Sequence, residues 1–124
     1  MFKNSPAFSG FSVDDIPKAK AFYGDVLGVE VTEENGMLTL HLATGGKVLI
    51  YPKPDHVSAT FTILNFPTDN IDESVAELTQ RGITFEQYDG TDEKGIMQGV
   101  KMGMGPNIAW FKDPAGNILS VIEQ

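Results

Sequence analysis

Alternation of apolar and polar positions marks most elements of this chain. From Ala7 to Val13, Ala7, Ser9, Phe11 and Val13 fall on one side and Phe8, Gly10 and Ser12 on the other, which is the period of a strand. The period then changes. Ile16, Ala19, Phe22, Tyr23, Val26 and Leu27 recur at helical spacing, while Lys18, Lys20 and Asp25 look outward. Asp14-Asp15-Ile16-Pro17 opens this helix, because an Asp caps free N–H groups and proline is tolerated in the first turn. Gly28 closes it. Strands are expected at Val29 to Thr32, Met37 to Ala43 and Lys47 to Tyr51, joined by Asn35-Gly36 and Gly45-Gly46 turns. In the middle one, Leu38, Leu40 and Leu42 share a face, and Met37, Thr39 and His41 the other.

The second half repeats this order. Pro52-Lys53-Pro54-Asp55-His56 is a stiff polar connector, since two prolines restrict the backbone. Ala59 to Phe66 reads as a strand. Asn70 followed by Glu73 resembles a capping box ahead of a helix that turns Ile71, Val75 and Leu78 inward and stops at Arg81-Gly82. Ile83 to Tyr88, Ile108 to Lys112 and Ile118 to Glu123 are the remaining expected strands, the last after the tight turn Asp113-Pro114-Ala115-Gly116-Asn117. The pattern is an α+β fold of two tandem βαβββ modules in one domain, 1–124: module 1 at 1–52, a linker at 53–58 and module 2 at 59–124. Relative to the first module, the second carries about 16 extra residues, within 89–106. Gly95, Gly99, Gly103 and Gly105 make that stretch pliable, and Met97, Met102 and Met104 offer adaptable apolar contacts. It reads either as a surface loop tucked on the core or as a mobile flap over a pocket.

Composition narrows the function classes. The 124 residues suffice for one core, and 41% hydrophobic with 21% charged residues is globular composition. A net charge of −8 argues against nucleic acid, whose phosphates require clustered Lys and Arg. It serves solubility and leaves a mild bias toward cationic ligands. The absence of cysteine excludes disulfides, thiolate nucleophiles and thiolate metal sites. No stretch has signal-peptide or membrane-span character, so no membrane partner and a cytoplasmic location are expected. There is no phosphate loop and no nucleophile elbow.

Val13-Asp14-Asp15, the stretch Ala21-Phe22-Tyr23-Gly24-Asp25-Val26-Leu27-Gly28 and the turn Phe111-Lys112-Asp113-Pro114-Ala115-Gly116-Asn117 resemble the vicinal oxygen chelate superfamily. That superfamily includes glyoxalase I, extradiol dioxygenases and bleomycin resistance proteins. The resemblance covers nearly the whole chain and implies curled mixed sheets, one face on helices and the other lining a cup. Catalytic members hold a divalent metal there with His, Gln or Glu. Carried over by counting from Asp15, Asn70 and the turn glycines Gly46 and Gly116, those positions are Phe8, Ile63, Ile50 and Ser120. None supplies a normal divalent-metal ligand, so no metal and no cofactor are expected.

By the same parity the cup is lined by Phe8, Ser12, Thr39, His41, Ile50, Phe61, Ile63, Asn65, Trp110 and Ser120, an aromatic and amphipathic surface suited to a small molecule. Trp110 can stack on a planar or cationic ligand, or close an interface or core. His41 reads as a hydrogen-bonded strand residue, a general base or a metal ligand, and His56 as a surface residue. The expectation is a metal-independent small-molecule-binding protein like the drug-sequestering branch, with a homodimer implied by the resemblance. The alternative is a divergent lyase, isomerase or dioxygenase with a non-standard site.

Overall fold

The computed structural model describes all residues from Met1 to Gln124. They divide into two compact units, Met1–Val57 and Ser58–Gln124. In the first, β1 (Ser9–Val13) leads to α1 (Ile16–Lys20), then β2 (Glu30–Glu34), β3 (Met37–His41) and β4 (Lys47–Pro52). Asp15, in extended backbone, is the residue that caps α1, its Oδ1 accepting from the Lys18 N–H at 3.0 Å. Beyond α1 the chain widens into a π-helix at Ala21–Val26, marked by the Leu27 N–H reaching the Phe22 carbonyl at 2.9 Å. That wider turn keeps two consecutive aromatics on the buried side. Phe22 and Tyr23 meet edge to face at 5.2 Å, and Tyr23 lies 5.9 Å from Phe11 of β1.

Strands of this unit are ordered β1-β4-β3-β2, with β1 parallel to β4 and the rest antiparallel. Asn35 and Gly36, both at positive φ, make the β2–β3 hairpin turn. Ile50 pairs in register with Phe11 on one side and Leu38 on the other. Since Phe11 touches Tyr23, this is the helix-packed face, and Val13, Leu38, Leu40, Val48 and Ile50 are buried on it. Ile50 is therefore a core residue, not a lining residue of the opposite face. Counting from the turn glycine misplaces it by one position, and in a strand one position reverses the face.

The second unit contains β5 (Thr62–Thr68), α2 (Ile71–Gln80), β6 (Ile96–Met97), α3 (Gly99–Met102), β7 (Ile108–Lys112) and β8 (Ile118–Glu123). Their order, β5-β8-β7-β6 with β5 parallel to β8, reproduces the first unit's. The helix α2 is capped twice. Asn70 Oδ1 accepts from the Glu73 N–H at 3.1 Å, and Glu123 Oε2 accepts from the Ile71 N–H at 2.9 Å. Ile71 and Val75 bury against the sheet face that carries Ala109, Phe111, Leu119 and Val121.

Two expectations change here. The stretch from Ile83 to Tyr88 is not a strand. Its alternation comes from Ile83 and Phe85 packing inward, Phe85 at 5.5 Å from Phe111, while its one main-chain bond to the sheet runs from the Glu86 N–H to the Trp110 carbonyl at 2.8 Å. The place beside β7 falls instead to β6, inside the extra segment. That segment is ordered by Asp92, whose carboxylate accepts from the Lys94 and Ile96 N–H groups at 2.9 Å each and from Gln98 Nε2 at 3.2 Å. It is also pinned at Gly99, where a Cβ would stand 2.3 Å from the Pro106 carbonyl oxygen.

Candidate functional site

Each sheet has one face on its helix and one face turned away, and the expected site residues fall on the latter to different degrees. In the first unit, Ser12 pairs with Tyr51 and Thr39 with Leu49 and Thr32, all on the face away from α1. Ser12 Oγ shares a hydrogen bond of 2.6 Å with His56 Nδ1. The connector is folded back to permit this, the Lys53 N–H donating to the Val13 carbonyl and the His56 N–H to the Lys53 carbonyl, each at 2.9 Å. His56 is thus tied down and half-buried, not a free surface residue. His41 stands opposite Glu30, and its Nε2 meets Thr32 Oγ1 at 2.8 Å. Phe8 precedes β1 and is exposed.

The second unit builds a denser arrangement. Its foundation is the turn before β8. The buried Asp113 accepts through Oδ1 from the Ala115 and Asn117 N–H groups at 2.9 Å each, and through Oδ2 from Asn117 Nδ2 at 3.0 Å. This carboxylate-centred turn fixes the register in which Ser120 lies between Trp110 of β7 and Asn65 of β5. Ser120 is fully buried, and its hydroxyl donates to Asn65 Oδ1. The indole Nε1–H of Trp110 donates to Thr62 Oγ1 at 3.1 Å, and the Tyr88 ring leans on the indole with centroids 5.4 Å apart. Burial, then the nearby Glu86 carboxylate, raise the Tyr88 phenol above its ordinary value against the opposing pull of Lys112, so it stays protonated at neutral pH.

Thr62 and Tyr88 belong to this constellation although periodicity does not select them. A register shift between Thr62 and Leu64 makes Ile63 the irregular position and brings Thr62 to the Trp110 side. Strict alternation through Phe61, Ile63 and Asn65 therefore fails at its middle member, while Phe61, just ahead of β5, is largely exposed. The aromatic ending the stretch 83–88 was a signal for Tyr88; no signal in the sequence marks the bulge. Elsewhere, clefts of about 510 Å³ beside the π-helix and about 530 Å³ beside α2 lie on the helix sides of the two sheets.

Two βαβββ units, each offering a sheet face opposite its helix, define the class of protein. The Glyoxalase/Bleomycin resistance protein/Dioxygenase superfamily model matches residues 8–121, and the chain belongs to that superfamily. Among solved structures, a glyoxalase family protein from Enterococcus faecalis is similar at 24% identity and TM-score 0.72, covering 99% of this chain and 100% of its own. TnmS3, an antibiotic-binding protein from Streptomyces sp. CB03234, is similar at 21% identity and TM-score 0.66 over 94% of each chain. A lactoylglutathione lyase from Agrobacterium tumefaciens is similar at 20% identity and TM-score 0.65, over 96% of this chain and 93% of its own. At such identities these likenesses speak for the fold. No curated protein matches the sequence.

The divalent metal of catalytic relatives finds no suitable donors at the corresponding positions. Phe8 and Ile63 offer hydrocarbon, and the Ser120 hydroxyl is engaged by Asn65. In β4, where Ile50 points into the core, the away-facing neighbours are Leu49 and Tyr51, neither an imidazole nor a carboxylate. No group of three or more His, Asp or Glu side chains is arranged to hold a metal ion.

Proposed function

We propose that this chain is a metal-independent small-molecule-binding protein that sequesters a drug or metabolite, with the aromatic face of the second sheet as the seat of the ligand. The observation that carries the reading is the braced indole of Trp110. It is held through its N–H by Thr62 and flanked by Tyr88, while Ser120 and Asn65 supply a polar pair on the adjoining strands. A rigid aromatic plate beside a few fixed polar groups suits recognition of a planar molecule, because little side-chain freedom is lost on binding. The antibiotic-binding relative supports the same class of role. In this reading the protein acts as a cytoplasmic homodimer, and Phe61 of the same unit is a secondary ligand contact.

Trp110 is the sole tryptophan, so intrinsic fluorescence reports on this face alone. A panel of planar aromatic compounds should contain members that quench it and raise the melting temperature. Trp110→Leu should weaken the same compounds about 10-fold or more when followed by calorimetry, in line with loss of an aromatic anchor. A panel without a binder, or affinity unchanged in Trp110→Leu, contradicts the assignment. An enzymatic role of the lyase, isomerase or dioxygenase kind would instead show as stoichiometric metal in the purified protein that disappears in His41→Ala.

A further inference from the structure

The hydrogen-bond inventory of the Trp110 face says what kind of ligand it takes. Ser120 is fully buried, and its one hydrogen-bond partner in the protein is Asn65 Oδ1. This fixes the Asn65 amide orientation on physical grounds. Turned the other way, the amide nitrogen would donate to Ser120 and leave a buried hydroxyl hydrogen without an acceptor. With its carbonyl oxygen turned to Ser120, Asn65 presents its NH₂ group, two donors with no partner in the protein, at an exposed position. Thr62 is in the same condition. Its oxygen accepts from the indole and keeps one lone pair, while its own O–H has no acceptor in the protein. The indole N–H is itself spent. Around the Trp110 ring, β5 therefore offers three unpartnered donor hydrogens, two from Asn65 and one from Thr62.

Resting on the ligand-binding reading above, we infer that the site selects planar conjugated molecules bearing carbonyl or other acceptor oxygens on the edge that meets Asn65 and Thr62. The chain's net charge of −8 points toward cations, but that charge acts diffusely and is screened over about 8–10 Å at ordinary salt, whereas the donors act at contact. The unmatched carbonyl-free analogue leaves the donors facing apolar edges and loses their hydrogen bonds. No cysteine is present, so quinones serve as probes free of thiol addition.

The test compares 2-methyl-1,4-naphthoquinone with 2-methylnaphthalene and N-methylquinolinium by titration calorimetry on the full chain. The expected order is the quinone at least 10-fold tighter than either of the others. Asn65→Asp keeps the acceptor for Ser120 and replaces the free donors by a carboxylate. It should cost the quinone 10-fold or more, leave 2-methylnaphthalene unchanged and favour N-methylquinolinium. A thermal melt confirms that each variant is folded. If all three probes bind alike and Asn65→Asp has no effect while Trp110→Leu still abolishes binding, the acceptor rule is overturned and the binding reading stands. If none of the three binds, both are overturned for two-ring aromatics.

Discussion

The two units share a ladder and differ in what they do with its outward face. Both set a parallel pair at one edge and an antiparallel hairpin beyond it, and both bury Leu, Ile and Val under a helix. On the face away from α1, the first sheet shows Ser12 and His41, tied to His56 and Thr32, beside Thr39, Leu49 and Tyr51. On the face away from α2, the second shows Trp110, Tyr88 and isoleucines around a polar pair, the buried Ser120 and the exposed Asn65. A repeated backbone thus leaves side-chain chemistry free to diverge wherever it is not needed for the core. Under the proposed function, recognition belongs to the second unit and the first has a mainly structural part.

The comparison can be broken most severely at the core positions. Ile50→Ala should lower stability by about 2–5 kcal/mol, since the side chain is fully buried, whereas Leu49→Ala on the opposite face should cost less than about 1 kcal/mol. Equal losses in urea denaturation would mean that the faces are assigned wrongly. Next come the equivalent turns. Asp113→Ala removes a buried carboxylate that satisfies three N–H donors and should cost about 2–3 kcal/mol. Thr44→Ala, before Gly46 in the first unit, gives up a single exposed bond of 3.3 Å and should stay within about 0.5 kcal/mol.

Helix starts provide a finer contrast. Asn70→Ala should destabilise by about 1 kcal/mol or less, because Glu123 still caps Ile71, while Asp15→Ala removes a cap with no such reserve and should cost about 1 kcal/mol or somewhat more. The smallest effect belongs to the extra segment. Burial opposes ionisation of Asp92, but hydrogen bonds from Ile96, Gln98 and Lys94 prevail and lower its pKa below 3.8. A carboxylate held lower in the folded state contributes stability that is fully present above about pH 4 and fades as pH falls through the folded value. Asp92 is mostly solvent-screened, so the contribution is less than about 1 kcal/mol. Asp92→Asn should remove that part of the acid sensitivity, visible as a flatter melting temperature below pH 4.

Sequence reading carried the strands and helices that have strong local causes. Asn70, Gly28 and the Asp113–Asn117 turn act locally, and the Leu38–Leu40 alternation matches burial on a single face. What escaped it depends on contacts distant in sequence. Ile83 and Phe85 alternate like a strand because Phe111 receives them, and the ladder beside β7 goes to Ile96–Met97. The bulge at Thr62–Leu64 and the burial of Ile50 are register facts, set by which strand lies alongside. The π-turn at Phe22–Tyr23 is likewise a packing outcome. Trp110, Asn65 and Ser120 were accessible to parity; Thr62, hidden by the bulge, was not.

The central claim is that ligands meet the second sheet and not the first. Chemical-shift mapping of isotope-labelled protein with a planar ligand from the fluorescence panel tests it directly. Perturbations should concentrate on the Trp110 indole N–H, the Asn65 side-chain amide and the backbone N–H groups of Thr62 and Ser120, with Thr39, His41 and Leu49 nearly still. Shifts centred on Thr39 and His41, with the Trp110 indole unmoved, would contradict the account.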